Sequence, residues 1–159
     1  MKAAMDSDFA LMNGGGVRSP LDTGEVTFGD LFAIQPFGNV LNKVKLSGAD
    51  LEVILNEQIT ARGLDYHVSG FKYTYTYDDQ AKTGKVVDIL LPDGSKVDPN
   101  KEYTAVINNY MYGNISTSFG KLSTDMEVGP VDIDATVEFV KTLPSPFEYK
   151  AEGRIQKID

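Results

Sequence analysis

The chain has 159 residues, 42% of them hydrophobic and 24% charged, which is the size and balance of one globular domain able to bury a core. It has no cysteine, excluding disulfides, thiolate metal sites and cysteine nucleophiles, and its one histidine, His67, leaves too few imidazoles for a dinuclear hydrolytic site or a His-based triad. A net charge of −8 excludes a broad basic face for a nucleic-acid polymer, though not a small anion held by one or two local cations.

No apolar run approaches the length of a membrane span, and the opening "MKAAMDSDF" lacks the apolar stretch of a signal peptide. "DFALMN" then reads as a short buried strand ending at Asn13. In "TFGDLFAIQPF", Thr27 and Asp30 stand at capping-box spacing before a short helix that Pro36 must end. "VLNKVKL" alternates as a strand. Ser47 and Asp50 form a second capping pair, and Leu51, Ile54, Leu55 and Ile59 predict one apolar face of a helix running to about Arg62, with Gly63 placed to close it. Arg62 then suits the helix C-terminus as a dipole partner.

The middle of the chain is strand-rich. "FKYTYTYD" alternates aromatics with threonines, "KVVDILL" is a second strand, and "PDGSKV" carries an Asp-Gly turn signal. "TAVINNYM" reads as a buried strand that loses its apolar character at Asn108. "STSFGKLSTD" is a loop by composition. "VDIDATVEFVKTL" predicts a third helix, with Asp132 and Asp134 at its N-terminus, and "FEYKAEGRIQKI" closes the chain as a strand. The interspersed order predicts a single α+β (mixed α/β) domain with a mixed sheet and about three helices.

Three stretches suggest chemistry. In "FALMNGGGVRS" a strand end runs into Gly14, Gly15 and Gly16 and then Arg18. Bare backbone amides followed by a planar guanidinium suit a phosphate or carboxylate, and the same pattern also fits a flexible turn with a surface arginine. In "QPFGN", Phe37 sits between a helix-stopping proline and a glycine, placed either to cap a pocket or to plug the core. In "INNYMYG", Tyr110 and Tyr112 follow a strand end. Two rings from separate loops can sandwich a flat heterocycle, at about 1–3 kcal/mol per stacked face, or pack on the sheet edge. The spacing is neither that of a Walker loop nor GxGxxG. His67 reads as structural or solvent-facing.

Taken together, "NGGGVRSPLDTGEVTFGDLFAIQPFGN" closely resembles the start of the C-terminal substrate-binding domain of the 5′-nucleotidases, a family that includes 2′,3′-cyclic-nucleotide phosphodiesterases and UDP-sugar hydrolases. The likeness continues through "LSGADLEVILNEQ", "VSGFKYTYTYD", "PDGSKVDPNKEYTAVINNYM" and "EGRIQKI", covering nearly the whole chain. The resemblance implies a two-domain, extracellular, cell-surface or periplasmic parent hydrolase. Its N-terminal metallophosphoesterase domain, absent from this chain, would hold two divalent metal ions; no cofactor is expected here. This domain would grip a nucleotide or nucleoside and present its phosphate to those metals. By resemblance Arg18 contacts phosphate with the Gly14–Gly16 turn, Asn13 lies beside the substrate, Phe37 and Tyr110 clamp the base, and Asn39 meets the base edge. One departure is plain. The family typically shows Gly-Gly-Asp-Gly-Phe/Tyr after the second aromatic, its aspartate binding ribose hydroxyls. Here "YGNISTSF" places Ser116 there without a gap, or Asn114 with a shifted loop, and neither supplies a carboxylate. The alternative expectation is a stand-alone nucleotide or small-ligand binding module of a surface protein, without hydrolytic activity.

Overall fold

A computed structural model describes all residues from Met1 to Asp159. Strand β1 (Phe9–Asn13) is buried along its whole length, as an unbroken apolar run requires, and lies inside a five-stranded sheet. In that sheet β1 pairs in parallel with β8 (Glu102–Asn108) and antiparallel with β5 (Tyr66–Ser69). Beyond β8 come β2 (Val40–Ser47), antiparallel in the register Leu41 opposite Asn108, and then β9 (Thr124–Val131) at the edge. The β2–β9 pairing is irregular, with register shifts between Val40 and Asn42 and between Lys43 and Lys45.

A second sheet holds the aromatic–threonine strand β6 (Lys72–Asp78) between β7 (Thr83–Leu90) and the short closing strand β10 (Ile155–Lys157). Its residues Tyr73, Val86 and Ile89 join Phe9, Leu11, Val44, Leu46, Tyr103 and Ile107 of the first sheet, and Leu51, Ile54 and Leu55 of helix α2 (Gly48–Glu57), in one core. The other face of the first sheet is covered by helix α5 (Asp132–Lys141), where Ala135 meets Ala10, Leu41 and Val106.

Both predicted capping boxes are formed: Thr27 with Asp30 starts α1 (Phe28–Ile34), and Ser47 with Asp50 starts α2. Four differences from the sequence expectation have local causes. Helix α2 stops at Glu57, short of Arg62. The buried Gln58 side chain turns to accept the N–H groups of Asp65 (2.8 Å) and Tyr66 (3.1 Å) while donating to the Tyr73 hydroxyl (2.9 Å). Gly63 therefore serves a small hairpin of β3 (Ile59–Thr60) and β4 (Gly63–Leu64) at φ +100°, with Arg62 in its turn. The stretch read as a loop contains helix α4 (Phe119–Leu122), whose Phe119 is fully buried against Tyr66, and leads into β9. With α3 (Asn109–Gly113) the helices number five rather than three. Finally, only Ile155–Lys157 of the closing stretch is strand.

Because β1 and β8 are parallel and β2 runs opposite to β8, the C-terminal ends of β1 and β8 and the start of β2 meet at one end of the sheet. The Gly14–Gly16 turn, the Phe37 turn and the Tyr110 segment all leave from that end.

Candidate functional site

Two adjacent asparagines at the end of β8 organise this end of the sheet. The Asn108 side chain is wholly buried; its Nδ2 donates to Asn13 Oδ1 at 2.9 Å, and its Oδ1 accepts the Met111 N–H at 2.8 Å, capping α3. One side chain thus fixes the Gly14–Gly16 turn and the Tyr110 segment together. Asn109 Oδ1 accepts the Val40 N–H at 3.0 Å, tying the same segment to the chain just after Phe37. Sequence reasoning passed over both residues. The signal was present: paired amides ending an apolar strand must find partners once buried.

The three glycines form a 3-10 turn, and none has a positive φ. Their smallness serves close packing at two positions. A Cβ on Gly14 would sit 3.0 Å from the Asp65 carbonyl oxygen, and one on Gly16 would sit 2.5 Å from Met12 Cε. Gly15 has room for a side chain, meeting only Asn13 Nδ2 at 3.6 Å. The Gly14 N–H donates to Asp65 O at 2.5 Å, so that amide is already engaged within the fold. Asn13 is likewise buried, with its Oδ1 taken by Asn108.

Arg18 follows in an exposed position. Its own N–H donates to Ile34 O at 2.9 Å, joining the turn to the end of α1. Its Nη1 donates to Gly15 O at 3.2 Å, and its guanidinium carbon lies 5.9 Å from the Phe37 ring centroid. That is cation–π range, and it leaves most of the guanidinium's N–H groups without a protein partner. The geometry brings the cation and the first ring together.

Phe37 is 58% exposed, held out by a turn in which Gly38 adopts φ +61°. Tyr110 is also 58% exposed, while Tyr112 leans against the core. Neither candidate ring plugs the interior. Asn39 is half-buried, and its carbonyl accepts the Asp132 N–H at 2.8 Å. Asn114 Oδ1 accepts the Ser116 N–H at 3.0 Å, and the Asn114 carbonyl accepts the Thr117 N–H at 3.1 Å, so this loop is folded on itself. Ser116 is exposed, and its hydroxyl has no protein partner. Glu57 clamps the loop to α2 by accepting both the Ser118 N–H (3.0 Å) and the Ser118 hydroxyl.

Burial pushes the Tyr66 phenol up to about 12, with Asp65 and Glu57 adding to the shift. Asp132 is pushed above the ordinary carboxylate value by burial, partly opposed by the Ile133 N–H and the Asn39 side chain. No three His, Asp or Glu side chains come together in a way that would hold a metal ion. A groove of about 470 Å³ lies on the α5 side of β1 and β5, beside His67, Phe139 and Tyr149; Arg18, Phe37 and Tyr110 do not line it.

Comparison with known proteins places this arrangement. The sequence model of "5′-nucleotidase, C-terminal domain" matches residues 1–121. The chain is 48% identical to Endonuclease YhcR of Bacillus subtilis over 160 residues, covering 98% of this chain and 13% of that protein. It is 34% identical to Cell wall protein Lmo0130 of Listeria monocytogenes, covering 97% of this chain and 20% of that protein. Its fold superposes with a TM-score of 0.84 and 25% identity on the 5′-nucleotidase precursor of Thermus thermophilus, over 99% of this chain and 33% of that one. The chain therefore spans a third or less of the length of these relatives. It belongs to the family of 5′-nucleotidase C-terminal domains.

Proposed function

We propose that this chain is the nucleotide-gripping domain of a longer, two-domain phosphohydrolase. The observation that supports it most is the Arg18 guanidinium poised over the exposed Phe37 ring, at the sheet end that also presents Tyr110. Phe37 and Tyr110 take the faces of the base. Arg18, with the amides of Gly15 and Gly16, takes the phosphate, while Ser116 and the Asn114 amide are the groups nearest to hand for a sugar hydroxyl. Asn13 shapes the turn from beneath. In this reading two divalent metal ions belong to an accompanying metallophosphoesterase domain and supply the activation of water there. This chain's own work is to bind and orient; fixing the phosphate in line with an attacking group contributes several kcal/mol to lowering a barrier, of the roughly 7–11 kcal/mol available to orientation. The relatives named as a cell wall protein and as nucleotidases fit a location outside the cytoplasm.

Titration of the 159-residue chain with AMP and UMP, following the ring resonances of Phe37 and Tyr110, tests this reading. Because the phosphate is shared with the accompanying domain, the expected dissociation constant is weak, on the order of 1 mM. Phe37→Ala should raise it about tenfold or more without loss of fold, the loss of one stacked face. Ring resonances that stay still at saturating nucleotide, or equal affinity in the variant, would refute it.

A further inference from the structure

A run of side-chain amides beneath the glycine turn has its direction set by the backbone. The Met111 N–H can only donate, and it donates to Asn108 Oδ1 at 2.8 Å. Asn108 therefore turns its Nδ2 the other way, where it donates to Asn13 Oδ1 at 2.9 Å and to Met12 Sδ at 3.4 Å. Reversing either asparagine would set N–H against N–H. Both ends of the wholly buried Asn108 amide are thus occupied inside the fold.

Asn13 differs. Its Oδ1 is held by Asn108, which leaves its Nδ2 facing away from that bond, and no protein group accepts from it. The residue is only 9% exposed, yet this nitrogen is not sealed from solvent. It borders the open side of the turn: a Cβ on Gly15 would meet Asn13 Nδ2 at 3.6 Å and nothing else within 4 Å. Arg18 reaches the same glycine, its Nη1 donating to Gly15 O at 3.2 Å. An amide nine-tenths buried with unused hydrogens costs stability unless something accepts them.

We propose that Asn13 Nδ2 is a donor to the ligand's phosphate, set at the glycine that Arg18 also contacts, and that Asn108 is the positioning residue that aims it. This rests on the nucleotide-binding reading above. A phosphate oxygen is a charged acceptor, so a fixed amide donor beside a guanidinium is the polarity it requires; the amide turned about would face it with a carbonyl oxygen. Because the relay begins at Met111, one residue past Tyr110, seating the ring segment and aiming the donor are a single event.

AMP, adenosine and inorganic phosphate are the probes. In the wild-type chain the Asn13 Nδ2 proton resonances should shift with AMP and with inorganic phosphate and stay still with adenosine. Asn108→Asp keeps an oxygen to cap the Met111 N–H but removes the donor, so Asn13 must turn its Nδ2 inward and show phosphate its carbonyl. The ratio of AMP to adenosine affinity should then fall about tenfold, the scale of one hydrogen bond to a charged group. Asn108→Ser is the second variant, free of an added charge and of the cost of burying one. It also caps and also lacks the Nδ2, and its ratio should fall about threefold or more. A role confined to capping α3 predicts an unchanged ratio in both, since Asp and Ser both cap well, and damage to the Tyr110 segment would scale the two affinities together. Asn13 Nδ2 resonances that ignore AMP and phosphate at saturation, a shift as large with adenosine as with AMP, or an unchanged ratio in both variants overturns the proposal. The nucleotide-binding reading fails separately: if AMP leaves Phe37 and Tyr110 unmoved while inorganic phosphate still shifts Asn13 Nδ2, the base clamp falls and the anion donor stands.

Discussion

On one face of the five-stranded sheet, Phe9, Leu11, Val44, Tyr103 and Ile107 belong to a cluster of 19 buried residues closed over by α2 and the second sheet. On the other, Ala10, Leu41 and Val106 join Met5 and Ala135 in a cluster of five, with Met1 packed against it. The thick side is rich in ring contacts: Phe9 lies 5.0 Å from both Phe71 and Tyr103. The thin side carries α5, whose first turn grips the Phe37 turn through Gln35 and Asn39. The bulk of the core and the anchoring of the Phe37 turn thereby fall on different faces of the same strands. Changes on the thick face should act on the folded fraction, and changes on the thin face should also reach the site.

Phe71→Ala, which empties the middle of the thick cluster, should cost about 3–5 kcal/mol in urea unfolding. It should leave ring resonances at Phe37 unmoved in whatever fraction stays folded. Leu41→Ala, on the thin face, should cost less, about 2–3 kcal/mol, because a small cluster relaxes more readily into the space. It should also displace the Phe37 resonances, since β2 begins three residues after that ring; a silent Phe37 would break the contrast between faces. The two capping boxes sharpen it further. Ser47→Ala unties α2 from the thick core and should cost about 1 kcal/mol of global stability, whereas Thr27→Ala, on the mostly exposed α1, should cost a few tenths and show itself in faster amide exchange at Asp30.

The smallest expected effect is in the pH dependence. Burial holds the Asp132 pKa above its ordinary 3.8, so in the window between these two values the folded state keeps a proton that the unfolded state has released. Stability from this group therefore rises as pH falls through the elevated pKa and levels off below about 3.8. The carboxylates of Asp30, Asp78, Asp93 and Glu152 act in the opposite sense, their pKa values being lowered by hydrogen bonds to Thr27, to the Ala81 and Gln80 amides, to Ser95 and to Arg154. Their contribution is present above the ordinary carboxylate range and lost in acid. Subtracting an Asp132→Asn unfolding profile from the wild-type one isolates the first trend. A flat difference between pH 3 and pH 7 would show that the buried carboxyl has no unusual proton affinity.

Much of this was legible in the chain itself. The capping pairs Thr27/Asp30 and Ser47/Asp50 located two helix starts correctly because a cap is a local device that needs no tertiary partner. Alternation in "FKYTYTYD" and the apolar run of "DFALMN" did the same for β6 and β1. Failures came where a distant partner decided the outcome. Gln58 ends α2 because its side chain is wanted by Asp65, Tyr66 and Tyr73, which no pattern around residue 58 announces. Phe119 forms a helical turn inside a polar stretch because Tyr66 and the core wait beneath it. At the site, Arg18, Phe37 and Tyr110 stood out by residue type, and the glycine run reads as backbone left bare for a ligand, whereas Gly14 and Gly16 are small because Asp65 and Met12 pack against them. Asn108 was legible only as the polar end of an apolar strand; that its side chain ties Asn13 to Met111 depends on burial, which is a property of the assembled fold.

The uneven seam between β2 and β9 has a consequence for how copies of this domain behave beside one another. The outermost strand leaves Val128 at 66% exposure and Met126 at 44%, a surface that a flat ribbon would offer for ready pairing. Two breaks in the ladder, Pro130 within the strand, Asp125 in a left-handed conformation and the Lys43–Glu127 and Lys45–Asp125 ion pairs make it a poor template instead. Concentrated solutions of the domain should accordingly resist stacking into fibrils through this border, despite the oily residues displayed there.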